Sequence, residues 1–155
     1  MVNSYMRTLS VFTSWHPAGY KKYGQQFIEG YNNCWPQSVP LTIYAEDHEP
    51  VTNNPNITVL DQATTLPDLK SWQLRHKDNK HAHGWNHDMS KKSFLWDASR
   101  FANKTFALWH FAKTCGTDIF MWCDGDVRTH TPMPIEFLNE IAPNENQLAT
   151  YLGRK

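Results

Sequence analysis

The chain has 155 residues, in which 15 Lys and Arg balance 15 Asp and Glu for a formal net charge of zero with the histidines neutral. That length suits one domain with a buried core, and the charge balance gives no electrostatic case for a nucleic-acid partner or an anionic membrane. Seven tryptophans fit equally well in a core or along a carbohydrate or nucleotide pocket.

Residues 1–10 carry no sustained apolar segment, so neither a signal peptide nor a membrane span is expected there. Residues 9–15 read as a first strand, with β-favouring Val11, Phe12 and Thr13 ahead of the breaker His16-Pro17-Ala18-Gly19. A helix follows, because Tyr20, Tyr23, Phe27, Ile28 and Tyr31 recur at spacings of three and four while Lys21, Lys22, Gln25 and Glu29 fall elsewhere. Residues 41–45 form the next strand, entered from Pro40 and left through Glu46-Asp47-His48-Glu49-Pro50. Strand, helix, strand in this order is a βαβ unit. A third short strand is expected over 57–60, after the turn-rich Thr52-Asn53-Asn54-Pro55.

Residues 62–92 lose clear periodicity and read as a loop-rich insertion with a short helix near 66–76. His76, His81, His83 and His87 gather there, but they show no recognised zinc-ligand spacing, and a solvated loop is the expectation. Ser93 is placed to cap a helix over 94–114, whose Phe94, Ala98, Phe101, Ala102, Leu108, Trp109 and Ala112 make a broad apolar stripe. Arg100 and Lys104 share a face of that helix. Their spacing suits a solvated pair or a pair aimed at phosphates.

The most informative stretch is Asp118-Ile119-Phe120-Met121-Trp122-Cys123-Asp124-Gly125-Asp126-Val127. Residues 119–123 are apolar at every position, as in strands covered on both faces, and the preceding Cys115-Gly116-Thr117 is a helix stop. A parallel strand of an α/β sheet is expected, and ligands collect at the carboxyl ends of such strands. Asp124 and Asp126 stand at that end, at alternate positions that share a side if strand geometry persists. Two carboxylates held close disfavour joint ionisation. A hard cation such as Mg2+ or Mn2+ removes that conflict, since it takes oxygen ligands and is commonly held by one or two carboxylates plus substrate phosphates. Gly125 leaves room for a ligand or backbone to approach. Thr131-Pro132-Met133-Pro134 then turns the chain into a short helix over 135–141 and another strand over 147–152. Cys34, Cys115 and Cys123 are an odd set without metal-ligand spacing, expected as reduced thiols of a cytoplasmic protein.

The segment Phe120-Met121-Trp122-Cys123-Asp124-Gly125-Asp126-Val127 resembles the DxD segment of GT-A-type glycosyltransferases. The upstream Arg100-Phe101-Ala102-Asn103-Lys104, the following proline turn and the final Ala149-Thr150-Tyr151-Leu152-Gly153-Arg154 are similar to the same family, as is the opening βαβ unit. The resemblance implies an α/β, Rossmann-like nucleotide-sugar-binding fold with a mostly parallel sheet flanked by helices. It also implies truncation, because family members continue past this point into an acceptor-binding half that supplies the base of inverting enzymes. Asp126 would hold Mn2+ or Mg2+ bridging the two phosphates, with Asp124 sharing the metal or contacting the ribose. Thr13, Ser14 and Trp15 would lie beside the nucleotide, Glu46 or Asp47 near base or ribose, and Arg100 against the donor. The implied activity is metal-dependent transfer of a sugar from a nucleotide-diphosphate donor to an acceptor the sequence does not specify.

Two further readings use the same residues. A donor-binding module or inactive fragment would keep the strand ends and the acidic pair without a base. Haloacid-dehalogenase-like phosphatases also carry Asp-x-Asp after an apolar strand, with Thr or Val four residues after the first acid, where this chain has Arg128. That reading ranks below the transferase.

Overall fold

In the computed structural model, which describes residues 7–152, four strands pair in parallel in the order β3-β2-β1-β4. They are β1 (Leu9–Trp15), β2 (Leu41–Ala45), β3 (Ile57–Asp61) and β4 (Ile119–Trp122). Strand side chains alternate between faces, and β1 divides the core accordingly. Leu9, Val11 and Trp15 pack on one face with Leu41 and Ile43, whereas Phe12 packs on the other with Tyr44.

The first face is covered by a helical segment that starts as α1 (Pro17–Gly19), widens to a π-turn over Tyr20–Gly24 and continues as α2 (Gln25–Cys34). Pro17 occupies an opening position, where a missing N–H costs nothing, and Gly19 N donates to His16 Nδ1 across the start. Phe27, Ile28 and Tyr31 deliver the apolar stripe to the sheet, joined by Leu138 of α6 (Ile135–Ile141). Tyr31 Oη donates to Val39 O at 2.5 Å, which satisfies a buried carbonyl just before β2.

The second face is covered mainly by α5 (Ala98–Thr114), through Ala102, Ala107 and Phe111. The helix expected over 94–114 is broken in two. Ser93 caps only a 3-10 turn, Phe94–Trp96, and α5 begins afresh where Asp97 Oδ1 accepts from Arg100 N at 3.0 Å. The helix expected near 66–76 forms as α4 (Pro67–His76), and the rest of the segment expected to be loop-rich contains α3 (Gln62–Thr65) and a 3-10 turn, Lys80–His83. Asp61 and Asn79 cap two of these by accepting backbone N–H groups, so local turn chemistry orders a stretch with little periodicity.

The strand expected over 147–152 does not form: these residues are irregular, with Leu148 and Tyr151 almost fully exposed. A turn closed by Gln147 N donating to Asn144 O at 2.9 Å follows α6. The chain then lines an apolar groove of about 750 Å³ along the outer edge of β4, without pairing to that edge. Gly153 and Arg154, part of the same expectation, and residues 1–6 of the N-terminal reading lie outside the described residues. Among the described residues, no helix is long and apolar enough to cross a membrane.

Phe12 ties the pieces together. It is fully buried, stacks on Phe111 with ring centroids 4.5 Å apart and meets Trp122 edge-on at 5.0 Å. Phe12→Ala is expected to cost about 3–5 kcal/mol, the usual loss for a buried aromatic. Urea unfolding would read this as a lower midpoint at unchanged slope.

Candidate functional site

The strand order reverses at β1, since β2 and β3 lie to one side of it and β4 to the other. In open parallel sheets the connections diverge at such a point and leave a crevice beyond the carboxyl ends of the two strands. A cleft of about 340 Å³ occupies that position, lined by Ser14 and Trp15 at the end of β1 and His16 after it, Glu46 after β2, Arg100, Asn103 and Lys104 of α5, and Asp124, Gly125 and Asp126 after β4.

The register explains the local shape. Leu9 is level with Ile119 and Phe12 with Trp122, so the same register carried onward sets Trp15 level with Gly125. The last strand-like bond is Cys123 N donating to Phe12 O at 3.0 Å, after which Val127 N donates back to Asp124 O at 3.0 Å. The acidic triplet is therefore a turn, and strand alternation does not govern where its carboxylates project. A Cβ at residue 125 would lie 1.7 Å from Trp15 Nε1, so glycine is required there. The space that Gly125 provides is taken by the Trp15 indole. Trp15 is 2% exposed, and its Nε1 is buried without a hydrogen-bond partner.

Asp124 and Asp126 are both exposed at the cleft. Asp124 Oδ1 accepts from Lys104 Nζ at 2.6 Å and from Trp122 Nε1 at 2.9 Å. Lys104 Nζ also lies 4.4 Å from the centre of the Trp122 ring, where the aromatic face favours a cation. Partial burial pushes the Asp124 carboxyl up, but the hydrogen bonds and charge of Lys104, with the Trp122 indole, outweigh it and hold the group below its ordinary value. The neighbouring Cys123 thiol goes the other way, to about 12, through burial and then the charges of Asp124 and Asp126. Cys34, Cys115 and Cys123 are all free thiols. Glu46, half-buried at the end of β2, is raised to about 7 by burial and then by Asp47, with Arg100 opposing.

Six of the residues expected at the site therefore line one cleft: Ser14, Trp15, Glu46, Arg100, Asp124 and Asp126. Thr13 and Asp47 do not. Thr13 lies within the ladder opposite Ile43, is fully buried, and keeps its Oγ1 without a partner, whereas Asp47 is exposed with φ 50° outside the lining. The structure adds Lys104, Trp122 and His16 to the expected set. Lys104 was signalled by its helical spacing from Arg100, and His16 by its place directly after β1.

Among the described residues, no group of three or more His, Cys, Asp and Glu is arranged to hold a metal ion on its own. His81 and His87 stack with ring centroids 6.3 Å apart in the insertion. The oxygen donors at the cleft are the carboxyl groups of Glu46, Asp124 and Asp126, with Arg100 and Lys104 beside them. This suits a hard cation that completes its shell with phosphate oxygens and water. No family model, curated protein or solved structure matches the chain. The cleft combines opposite charges facing each other with a volume within the range of about 300–1,000 Å³ typical of small-molecule sites.

Glu46 gives the site a pH signature. Its folded pKa of about 7 lies above the ~4.3 of an unperturbed glutamate, so between those values the folded state binds the extra proton. The associated stability is fully present below the lower value and is lost as pH rises through the higher one. Glu46→Gln is expected to be increasingly more stable than wild type from about pH 4.5 to 7. Thermal melts of both proteins across that window would check it.

Proposed function

We propose that this chain is a cation-dependent glycosyltransferase of the GT-A type, acting on a nucleotide-diphosphate sugar. The observation that carries the reading is the convergence of Asp124, Asp126, Arg100 and Lys104 on one crevice at the switch point of a parallel sheet. A diphosphate bears negative charge that Arg100 and Lys104 can match. Two carboxylates beside it would otherwise repel it, so a cation shared between protein and phosphates resolves the charge balance.

In this reading Asp126 would be the principal ligand of a bound cation, and Asp124, now paired with Lys104, would share it. When bound, Mn2+ or Mg2+ supplies the positive charge that stabilises a departing nucleoside diphosphate. Arg100 contacts the donor phosphates and holds them against the end of β4. Glu46, protonated or not around neutrality, serves a donor hydroxyl or base edge as hydrogen-bond partner. Ser14 offers a neutral hydroxyl at the cleft, and the buried Trp15 indole packs against Gly125. The acceptor oxygen bonds to the anomeric carbon, the bond to the diphosphate breaks with its electron pair passing to the leaving phosphate oxygen, and the hydroxyl proton is released to water.

Calorimetric titration of UDP and of GDP should give tighter binding in Mn2+ than in EDTA by roughly tenfold or more, since 1.4 kcal/mol of contact is a factor of ten. Asp126→Ala should abolish that difference. Equal affinity in Mn2+ and EDTA would contradict the metal role. Assays of donor hydrolysis and of sugar transfer separate an enzyme from a donor-binding module, which would bind the diphosphate and turn over neither.

A further inference from the structure

We propose that Lys104 is a placeholder for the cation: in the free protein its ammonium occupies Asp124, and it passes to the diphosphate when nucleotide and cation arrive together. This rests on the reading of the cleft as a nucleoside-diphosphate site and adds how binding there is ordered.

Four observations carry it. Asp124 Oδ1 is saturated by Lys104 Nζ at 2.6 Å and Trp122 Nε1 at 2.9 Å, so one of the two acidic side chains is already neutralised. The ammonium is held from a second direction by the Trp122 ring at 4.4 Å, which fixes its position over that carboxylate. Lys104 is nonetheless only half-enclosed, with 36% of its side chain exposed, and its flexible four-carbon stem can re-aim without moving α5. Finally, Lys104 lines the same crevice as Arg100, Asp124 and Asp126, so a diphosphate entering it comes within reach of the ammonium.

The electrostatics then set an order. A divalent ion alone meets a carboxylate pair whose net charge Lys104 has halved, and it is repelled by the ammonium at close range. Adding the diphosphate supplies new negative charge, so Lys104 can leave Asp124 for a phosphate oxygen while the ion takes the freed carboxylate. Cation and nucleotide would thus bind with positive coupling, each improving the affinity for the other by the same factor. Lys104 acts here as a positioning residue and has no part in bond making.

The test uses Lys104→Met, which keeps the alkyl stem beside Trp122, with Lys104→Arg as the charge-conserving variant and circular dichroism melts to establish folding. Free Mn2+ is followed by its electron paramagnetic resonance signal, without nucleotide and then with saturating UDP. Lys104→Met should bind Mn2+ alone roughly tenfold more tightly than wild type, as removal of one nearby, partly screened like charge predicts. It should also lose most of the gain in Mn2+ affinity that UDP confers on wild type, and Lys104→Arg should retain that gain. Unchanged Mn2+ affinity in a folded Lys104→Met protein would overturn the placeholder role, and so would an undiminished UDP effect. If Lys104→Met weakens Mn2+ alone, the ion pair is only a clamp between α5 and the end of β4, and the proposal falls. Absence of any UDP effect in wild type would overturn the hand-over together with the nucleotide-site reading. Cation-coupled UDP binding in wild type with no response to Lys104→Met would overturn the placeholder while leaving the nucleotide site standing.

Discussion

The pairing of β4 alongside β1 is the constraint from which the site follows. Its register ends with Phe12 level with Trp122, so β1 runs three residues further than its neighbour and Trp15 overhangs the turn that closes β4. Only a residue without a Cβ fits beneath the indole, and Gly125 is that residue. The flanking Asp124 and Asp126 are left at the cleft, with Asp124 within reach of α5. Had β4 paired with β3 instead, the same acidic turn would have faced neither Trp15 nor Lys104.

Helix α5 is the second organising element, because it spans core and cleft. Its buried residues, Ala102, Ala107 and Phe111, press on Phe12 and Tyr44, while Arg100 and Lys104 reach the crevice from its first turns. The separate cap at Asp97 matters here. By ending the Phe94–Trp96 turn and restarting the helix, it fixes the rotational phase at which Arg100, Asn103 and Lys104 meet the acidic turn. The electrostatic character of the cleft is thus set by a helix whose hydrophobic contacts decide its placement, and charge alone would not hold it there. The larger groove beside β4 lacks this arrangement, since its walls are mainly apolar side chains such as Ile119, Met121, Phe137 and Leu148.

The strands were legible in the sequence where they are short apolar runs with breakers at both ends. Residues 9–15 and 41–45 match β1 and β2 residue for residue, and the reading of 119–123 differs from β4 by one. In β1 and β2 burial leaves little compositional freedom, whereas β4, expected to be covered on both faces, is an edge strand with Phe120 exposed and its other residues half-buried. Residues 147–152 show the limit: an apolar stretch becomes a strand only when an edge accepts its backbone, and pairing is not a local property. In 62–92 the helix expected near 66–76 is α4, whereas α3 and the Lys80–His83 turn were concealed, since short capped turns need side-chain oxygens at one position and no periodic stripe. At the site, position along the chain was enough to place Ser14, Trp15, Glu46 and both acids. It failed for Thr13, because that residue lies inside the ladder two residues short of the strand end, and for Asp47, because one backbone turn carries it outside the cleft. The bond from Lys104 to Asp124, across 20 residues, depends on the packing of α5 on the sheet and could not be read from spacing.

The most direct test of a nucleotide site at the switch point is the indole N–H region of a two-dimensional nitrogen–proton NMR spectrum, recorded as UDP and Mg2+ are added together. Trp15 and Trp122 line the cleft, whereas Trp72 and Trp109 do not. Selective shifts of the Trp15 and Trp122 indole signals are expected, with those of Trp72 and Trp109 unmoved. Shifts confined to tryptophans away from the cleft, or no shift at saturating nucleotide and cation, would contradict a nucleotide site there.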